Sequence, residues 1–130
     1  MRNNRIKVLL IEDDPLHQRL FSEYLKGTEY AGSEIIPTDA IFEAERLSKE
    51  YQIDIVVSDL DVSDAHHTEC IDHLLRLFSD KPILLLTGTG NTELARTAVG
   101  SGIQAYLEKD MLSAPSLNFS LLHALEQFKL

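Results

Sequence analysis

Residues 53–59 read IDIVVSD, a run of branched apolar side chains that ends on an acid. Its apolar core is continuous rather than alternating, the pattern of a strand covered by helices on both faces. A strand over residues 53–58 leaves Asp59 at its C-terminal mouth. Three other short apolar runs also end on polar groups: residues 6–11 before Glu12 and Asp13, residues 83–86 before Thr87, and residues 103–107 before Glu108 and Lys109. If all four runs are parallel strands of one sheet, their ends share one edge, where open α/β sheets place their ligands.

The segments between these runs carry helical signals. Asp14-Pro15 offers an N-cap followed by proline at the first helical position, and Leu16, Leu20, Phe21, Tyr24 and Leu25 recur at helical spacing up to a cap at Gly27. A brief strand over 34–36 follows, then a helix capped by Thr38 or Asp39 with Ile41, Ala44, Leu47 and Tyr51 on one face. A polar loop over 59–67 leads to a helix that turns Ile71, Leu74, Leu75 and Phe78 inward. Residues 79–82, SDKP, end that helix before the strand at 83–86. Asn91 or Thr92 caps a short helix that runs to Gly100. A last amphipathic helix starts near Leu117, with Leu121, Leu122, Leu125 and Phe128 as its apolar stripe. Strand and helix thus alternate five times without a long linker or repeat, the pattern of a doubly wound parallel α/β sheet with helices on both faces.

A chain of 130 residues is the size of one domain. With 44% hydrophobic and 25% charged residues it has the composition of a globular protein. The net charge of −9 argues against direct nucleic-acid binding or an anionic membrane surface, which need clustered Lys and Arg. Cys70 is the single cysteine and is expected as a small buried side chain. No signal-peptide pattern opens the sequence and no apolar stretch approaches the ~18 residues of a membrane span. A cytoplasmic location is the expectation.

Two of the consecutive acids Glu12, Asp13 and Asp14 can converge on one hard cation such as Mg²⁺. Alone, the triplet reads equally as a solvated acidic turn with Asp14 as cap. Asp59, at the mouth of the central strand, is costly to bury unless paired. Beside a metal and Lys109 it stays ionised and can attack phosphorus. A helix-capping aspartate is the ordinary alternative at that place. Thr87 can donate its hydroxyl to a phosphoryl oxygen, and Lys109 can pair first with the carboxylates and then with the phosphoryl group. Taken singly they are also an ordinary strand threonine and a surface lysine. The five histidines lack metal-ligand spacing and read as loop or surface residues.

Together, IKVLLIEDDP, IVVSDLDVSD, ILLLTG and AYLEKD, in this order and with these gaps, resemble the receiver domain of two-component response regulators over essentially the whole chain. The resemblance implies a (βα)₅ flavodoxin-like sheet of strand order 2-1-3-4-5, with residues 1–130 forming one receiver domain, alone or within a longer protein. It implies that Asp59 is the phosphoacceptor, that Glu12, Asp13, Asp59 and the backbone carbonyl of Asp61 bind Mg²⁺, that Thr87 and Tyr106 form a switch pair, and that Lys109 is the site lysine. The implied partners are a sensor histidine kinase or phosphotransfer protein and an output domain, a downstream protein or a second receiver. These dock on the face formed by residues 92–100, Tyr106 and residues 117–128. Such a domain is a switch that catalyses only its own phosphorylation and dephosphorylation. Ser63 stands where the family often has proline, His67 where glycine is common, and Asp110 where a proline often follows the lysine, so no cis peptide is expected there. A phosphatase of the haloacid-dehalogenase type, with Asp61 as general acid, and a docking-only receiver are the alternatives.

Overall fold

The computed structural model describes residues 4–62, 65–88 and 90–129. Five parallel strands make the sheet: β1 (Lys7–Ile11), β2 (Glu34–Thr38), β3 (Ile55–Asp59), β4 (Ile83–Thr87) and β5 (Ala105–Glu108), in the order β2-β1-β3-β4-β5. The expected strand order is therefore the observed one. Among the described residues five helices connect or follow them: α1 (Pro15–Leu25), α2 (Ile41–Glu50), α3 (His67–Leu77), α4 (Thr92–Ala98) and α5 (Ala114–Lys129).

Successive side chains of a strand point to opposite faces, and the two cores follow that rule. Leu9, Ile11, Val56, Ile83 and Leu85 pack with Ala44 of α2, Leu74 of α3 and Ala95 of α4. Val8, Leu10, Ile55, Val57, Leu84, Leu86 and Leu107 pack on the other face with Phe21 of α1 and Leu121 of α5. β3 and β4 are buried at every position, as their continuous apolar runs require. β5, at an edge, alternates between buried and half-buried residues.

Several local expectations are corrected. β2 continues through Pro37 to Thr38, since an edge strand tolerates a proline whose nitrogen donates to no neighbour. Thr38 is thus strand, and Ala40 is the N-cap of α2 with no side-chain cap bond. That helix ends before Tyr51, which is extended and partly exposed. Gly27 does not adopt the left-handed conformation of a glycine cap. A Cβ at that position would lie 2.8 Å from the Cβ of Ala114, so glycine lets the end of α1 approach the start of α5. α5 itself begins three residues before Leu117, because Ser113 Oγ accepts from the backbone N–H of Ser116 at 3.2 Å. Leu16 and Phe128 are exposed rather than inward. Leu16 lies about half a turn round α1 from the buried Leu25, and Phe128 sits in the last turn of α5.

The loop after Asp59 contains a two-residue antiparallel hairpin, Asp61–Val62 with Ala65–His66. Its periodicity is too short to detect in sequence. Ser63 lies outside the described residues. His67 closes the hairpin with φ 48°, the left-handed conformation that the glycine common there adopts readily, and its N–H donates to Leu60 O at 2.8 Å. No cis peptide occurs among the described residues, and Asp110 sits in a short 3₁₀ turn, Lys109–Met111.

Phe21 is fully buried whereas Phe42 is 82% exposed. Phe21→Ala should cost about 3–5 kcal/mol in urea denaturation, and Phe42→Ala should change stability by no more than about 0.5 kcal/mol.

Candidate functional site

Strand ladders carry the reactive groups to one edge of the sheet. The N–H of Glu12 donates to Thr38 O at 2.9 Å, extending the β1–β2 ladder one residue beyond the strand. Gln18 of α1 donates from Nε2 to the carbonyl of Glu12 at 2.6 Å. Asp14 caps α1 through Oδ1, which accepts from Leu16 N at 2.9 Å. On the neighbouring strand Asp59 pairs in register with Leu86, and Leu60 N donates to Leu86 O just past it. Backbone bonds therefore hold both acids on either side of the β1–β3 junction.

Glu12, Asp13 and Asp59 each place a carboxylate oxygen within 4.8 Å of the others. Glu12 and Asp59 are buried and Asp13 is exposed. Lys109, at the end of β5, reaches across the edge. Its Nζ lies 2.9 Å from Glu12 Oε2 and 3.0 Å from Asp59 Oδ2. Burial pushes the Glu12 carboxyl above its ordinary pKa; Lys109 opposes that shift and the charge of Asp59 adds to it. Burial works against the Lys109 ammonium, but Glu12 and Asp59 outweigh it and its pKa is raised.

Thr87 ends β4 beside this cluster. Its Oγ1 is fully buried and has no hydrogen-bond partner among the described residues. A buried hydroxyl left unpaired is unfavourable by roughly 1–3 kcal/mol, and it fits a site that receives an oxygen-rich ligand. Tyr106 pairs in register with Leu85, two residues before Thr87, so the two side chains share a face of the sheet. The Tyr106 ring is half-buried against the core on the α2–α4 side. Its hydroxyl faces Arg96 of α4, whose pKa is raised by that neighbour and by Glu93, 3.1 Å away. Thr92 at the start of α4 donates to Glu108 Oε1 at 2.8 Å. Asp61 opens the short hairpin two residues after Asp59.

Sequence reasoning missed His17. Read as a surface histidine, it instead puts Nδ1 3.0 Å from Lys109 Nζ. The signal was available: His17 is the third residue after the Asp14 cap, and a side chain there reaches back over the helix start.

With this geometry in hand, the comparisons identify the family. A model of the response regulator receiver domain matches residues 8–117. The chain belongs to that family, the phosphorylation-switched receivers of two-component systems, and not to the phosphatase alternative. The C4-dicarboxylate transport transcriptional regulatory protein DctD of Pseudomonas aeruginosa is 30% identical over 120 residues, covering 92% of this chain and 25% of that protein. The cell cycle response regulator CtrA of Brucella abortus is 33% identical over 105 residues, 80% of this chain and 44% of CtrA. Among solved structures, a response regulator receiver domain protein from Clostridium thermocellum superposes with a TM-score of 0.78 at 22% identity, covering 95% of this chain and 97% of that one. The chain spans less than half the length of these curated relatives. No helix among the described residues is long and apolar enough to cross a membrane.

The raised carboxyl of Glu12 gives a pH test. The folded state holds a proton on Glu12 more tightly than the unfolded chain, so this contribution to stability is complete below pH 4.5 and is lost as pH rises through the folded value. Glu12→Gln should therefore gain in melting temperature relative to the parent as the pH is raised above 4.5. Paired thermal melts across that range check it, and a constant difference would contradict it.

Proposed function

We propose that this receiver takes a phosphoryl group on Asp59 and passes the change to a partner through α4, β5 and α5. The observation that carries the reading is the buried Asp59 carboxylate held between the Lys109 ammonium and the Glu12–Asp13 acids, with the unpartnered Thr87 hydroxyl on the next strand. Glu12, Asp13 and Asp59, with the backbone carbonyl of Asp61, are the residues that would hold Mg²⁺. Three oxygen donors this close, one of them exposed to solvent, suit a hard cation that keeps part of its water. When bound, Mg²⁺ neutralises charge on the transferring phosphoryl oxygens.

Asp59 supplies the attacking oxygen. Its bond to phosphorus forms as the bond from phosphorus to the donor breaks, and the leaving group departs with the electron pair. A small acyl phosphate serves as such a donor, as does the phosphohistidine of a sensor kinase or phosphotransfer protein. Lys109 trades its contact with the Asp59 carboxylate for one with a phosphoryl oxygen, and Thr87 gives its unused proton to another. Both responses start at the ends of β4 and β5, so the rearrangement reaches α4 and Tyr106 directly. Breakage of the Thr92–Glu108 and Arg96–Tyr106 contacts would free α4 to offer a new surface to an output domain, a downstream protein or a second receiver. The receiver is a signalling module whose only chemistry is its own phosphorylation and dephosphorylation.

Intact-mass measurement after incubation with acetyl phosphate should give one adduct that requires Mg²⁺ and disappears in Asp59→Asn. An adduct that persists in Asp59→Asn would place the acceptor elsewhere, and no adduct from any donor would favour a docking-only receiver. Thr87→Ala should keep the adduct. It should also lose most of the adduct-dependent chemical-shift changes at Tyr106 and along α4; full retention of those changes would remove Thr87 from the switch.

A further inference from the structure

The Lys109 ammonium has three close acceptors among the described residues, Glu12 Oε2 at 2.9 Å, Asp59 Oδ2 at 3.0 Å and His17 Nδ1 at 3.0 Å. An ammonium carries three protons and no lone pair, so in this contact His17 accepts, and the proton of its neutral ring is on Nε2. The other groups facing Nδ1 stand farther off, Asp14 Oδ2 at 3.6 Å and Glu12 Oε1 at 3.8 Å. Lysine ends a flexible four-carbon stem and by itself has no fixed orientation. Glu12, anchored at the end of β1, balances the charge of the ammonium from 2.9 Å, and His17, anchored on α1, takes one of its protons, which together keep it beside Asp59.

We infer that His17 is a positioning residue for Lys109, a fixed neutral support that keeps the ammonium directed at the oxygen where the phosphoryl group arrives. The inference rests on Asp59 being the phosphoacceptor. A neutral acceptor is the appropriate chemistry here. A carboxylate at position 17 would add another negative charge to a cluster that already gathers Glu12, Asp13 and Asp59 within 4.8 Å. Imidazole nitrogen holds the ammonium without that repulsion. When the contact to Asp59 is exchanged for a phosphoryl oxygen, the other two supports stay in place, so Lys109 does not have to be reoriented during transfer.

The test compares His17→Phe, which keeps a ring but no acceptor, with His17→Asn, whose Oδ1 can stand where Nδ1 was. At saturating Mg²⁺, His17→Phe should slow phosphorylation by acetyl phosphate roughly three- to tenfold while leaving half-saturation by Mg²⁺ unchanged, and His17→Asn should recover most of the rate. In a Lys109→Met background His17→Phe should have no further effect. Equal rates for parent and His17→Phe, or the same slowing without Lys109, would overturn the inference. Imidazole ¹⁵N spectra of the full chain test the contact without any phosphoryl transfer. The expected result is the Nε2–H tautomer, with an Nδ1 resonance that moves in Lys109→Met; an Nδ1–H tautomer would overturn it. If the parent takes up no phosphoryl group while the nitrogen spectrum reports the contact, the assignment of Asp59 fails and the support of Lys109 by His17 stands.

Discussion

The rest of the site depends on one ammonium group placed between two buried carboxylates. Strand order puts β1 beside β3, so the acids at their ends are neighbours and would repel each other in a poorly hydrated edge. Lys109 comes from β5, two strands beyond β3, and its long side chain reaches both Glu12 and Asp59. Its charge offsets the burial of the carboxylates, while the exposed side of Asp13 leaves an opening to solvent. An edge built in this way is poised for a ligand that brings positive charge to the acids and oxygen acceptors to Lys109 and Thr87.

That arrangement sets the site against the core. Both faces of the sheet bury mainly aliphatic side chains whose removal from water stabilises the fold. At the C-terminal edge, by contrast, a carboxyl group is held above its ordinary pKa and a threonine hydroxyl is buried without a partner. Functional sites commonly retain such unfavourable groups, because a site optimised for stability alone would leave nothing for a ligand to satisfy. The cost is tolerated because ladders on either side, Glu12 to Thr38 and Leu60 to Leu86, fix the backbone independently of the side chains.

Much of the architecture was legible in the order of residues. β3 and β4 stood out because strands covered on both faces need unbroken apolar runs, and the Asp14-Pro15 cap marks the start of α1 within the same turn. Elements governed by short-range detail were less legible. The hairpin after Asp59 spans too few residues to express a period, and the Ala40 cap follows from the extra length of an edge strand that contains Pro37. Leu16 and Phe128 stand among apolar residues at helical spacing, yet Leu16 lies about half a turn from the buried Leu25 and Phe128 sits in the last turn of α5, and both stay exposed. Gly27 illustrates a right residue read for the wrong reason. Its position after α1 suggested a cap, whereas the close approach of Ala114 is what requires the missing side chain.

By itself the sequence determined the class of fold and the one edge that collects Glu12, Asp13, Asp59, Thr87 and Lys109. Strand periodicity and strand ends are local properties, written in neighbouring residues. Only the tertiary structure decided which of these groups touch. The ammonium of Lys109 meets His17 across 92 positions of chain, a contact that exists only once folding brings the start of α1 and the end of β5 to the same edge. Likewise the lack of a partner for Thr87 Oγ1 is a property of everything packed around it. Distance, burial and unmet hydrogen bonds belong to the folded whole, because each depends on groups that the chain brings together from far apart.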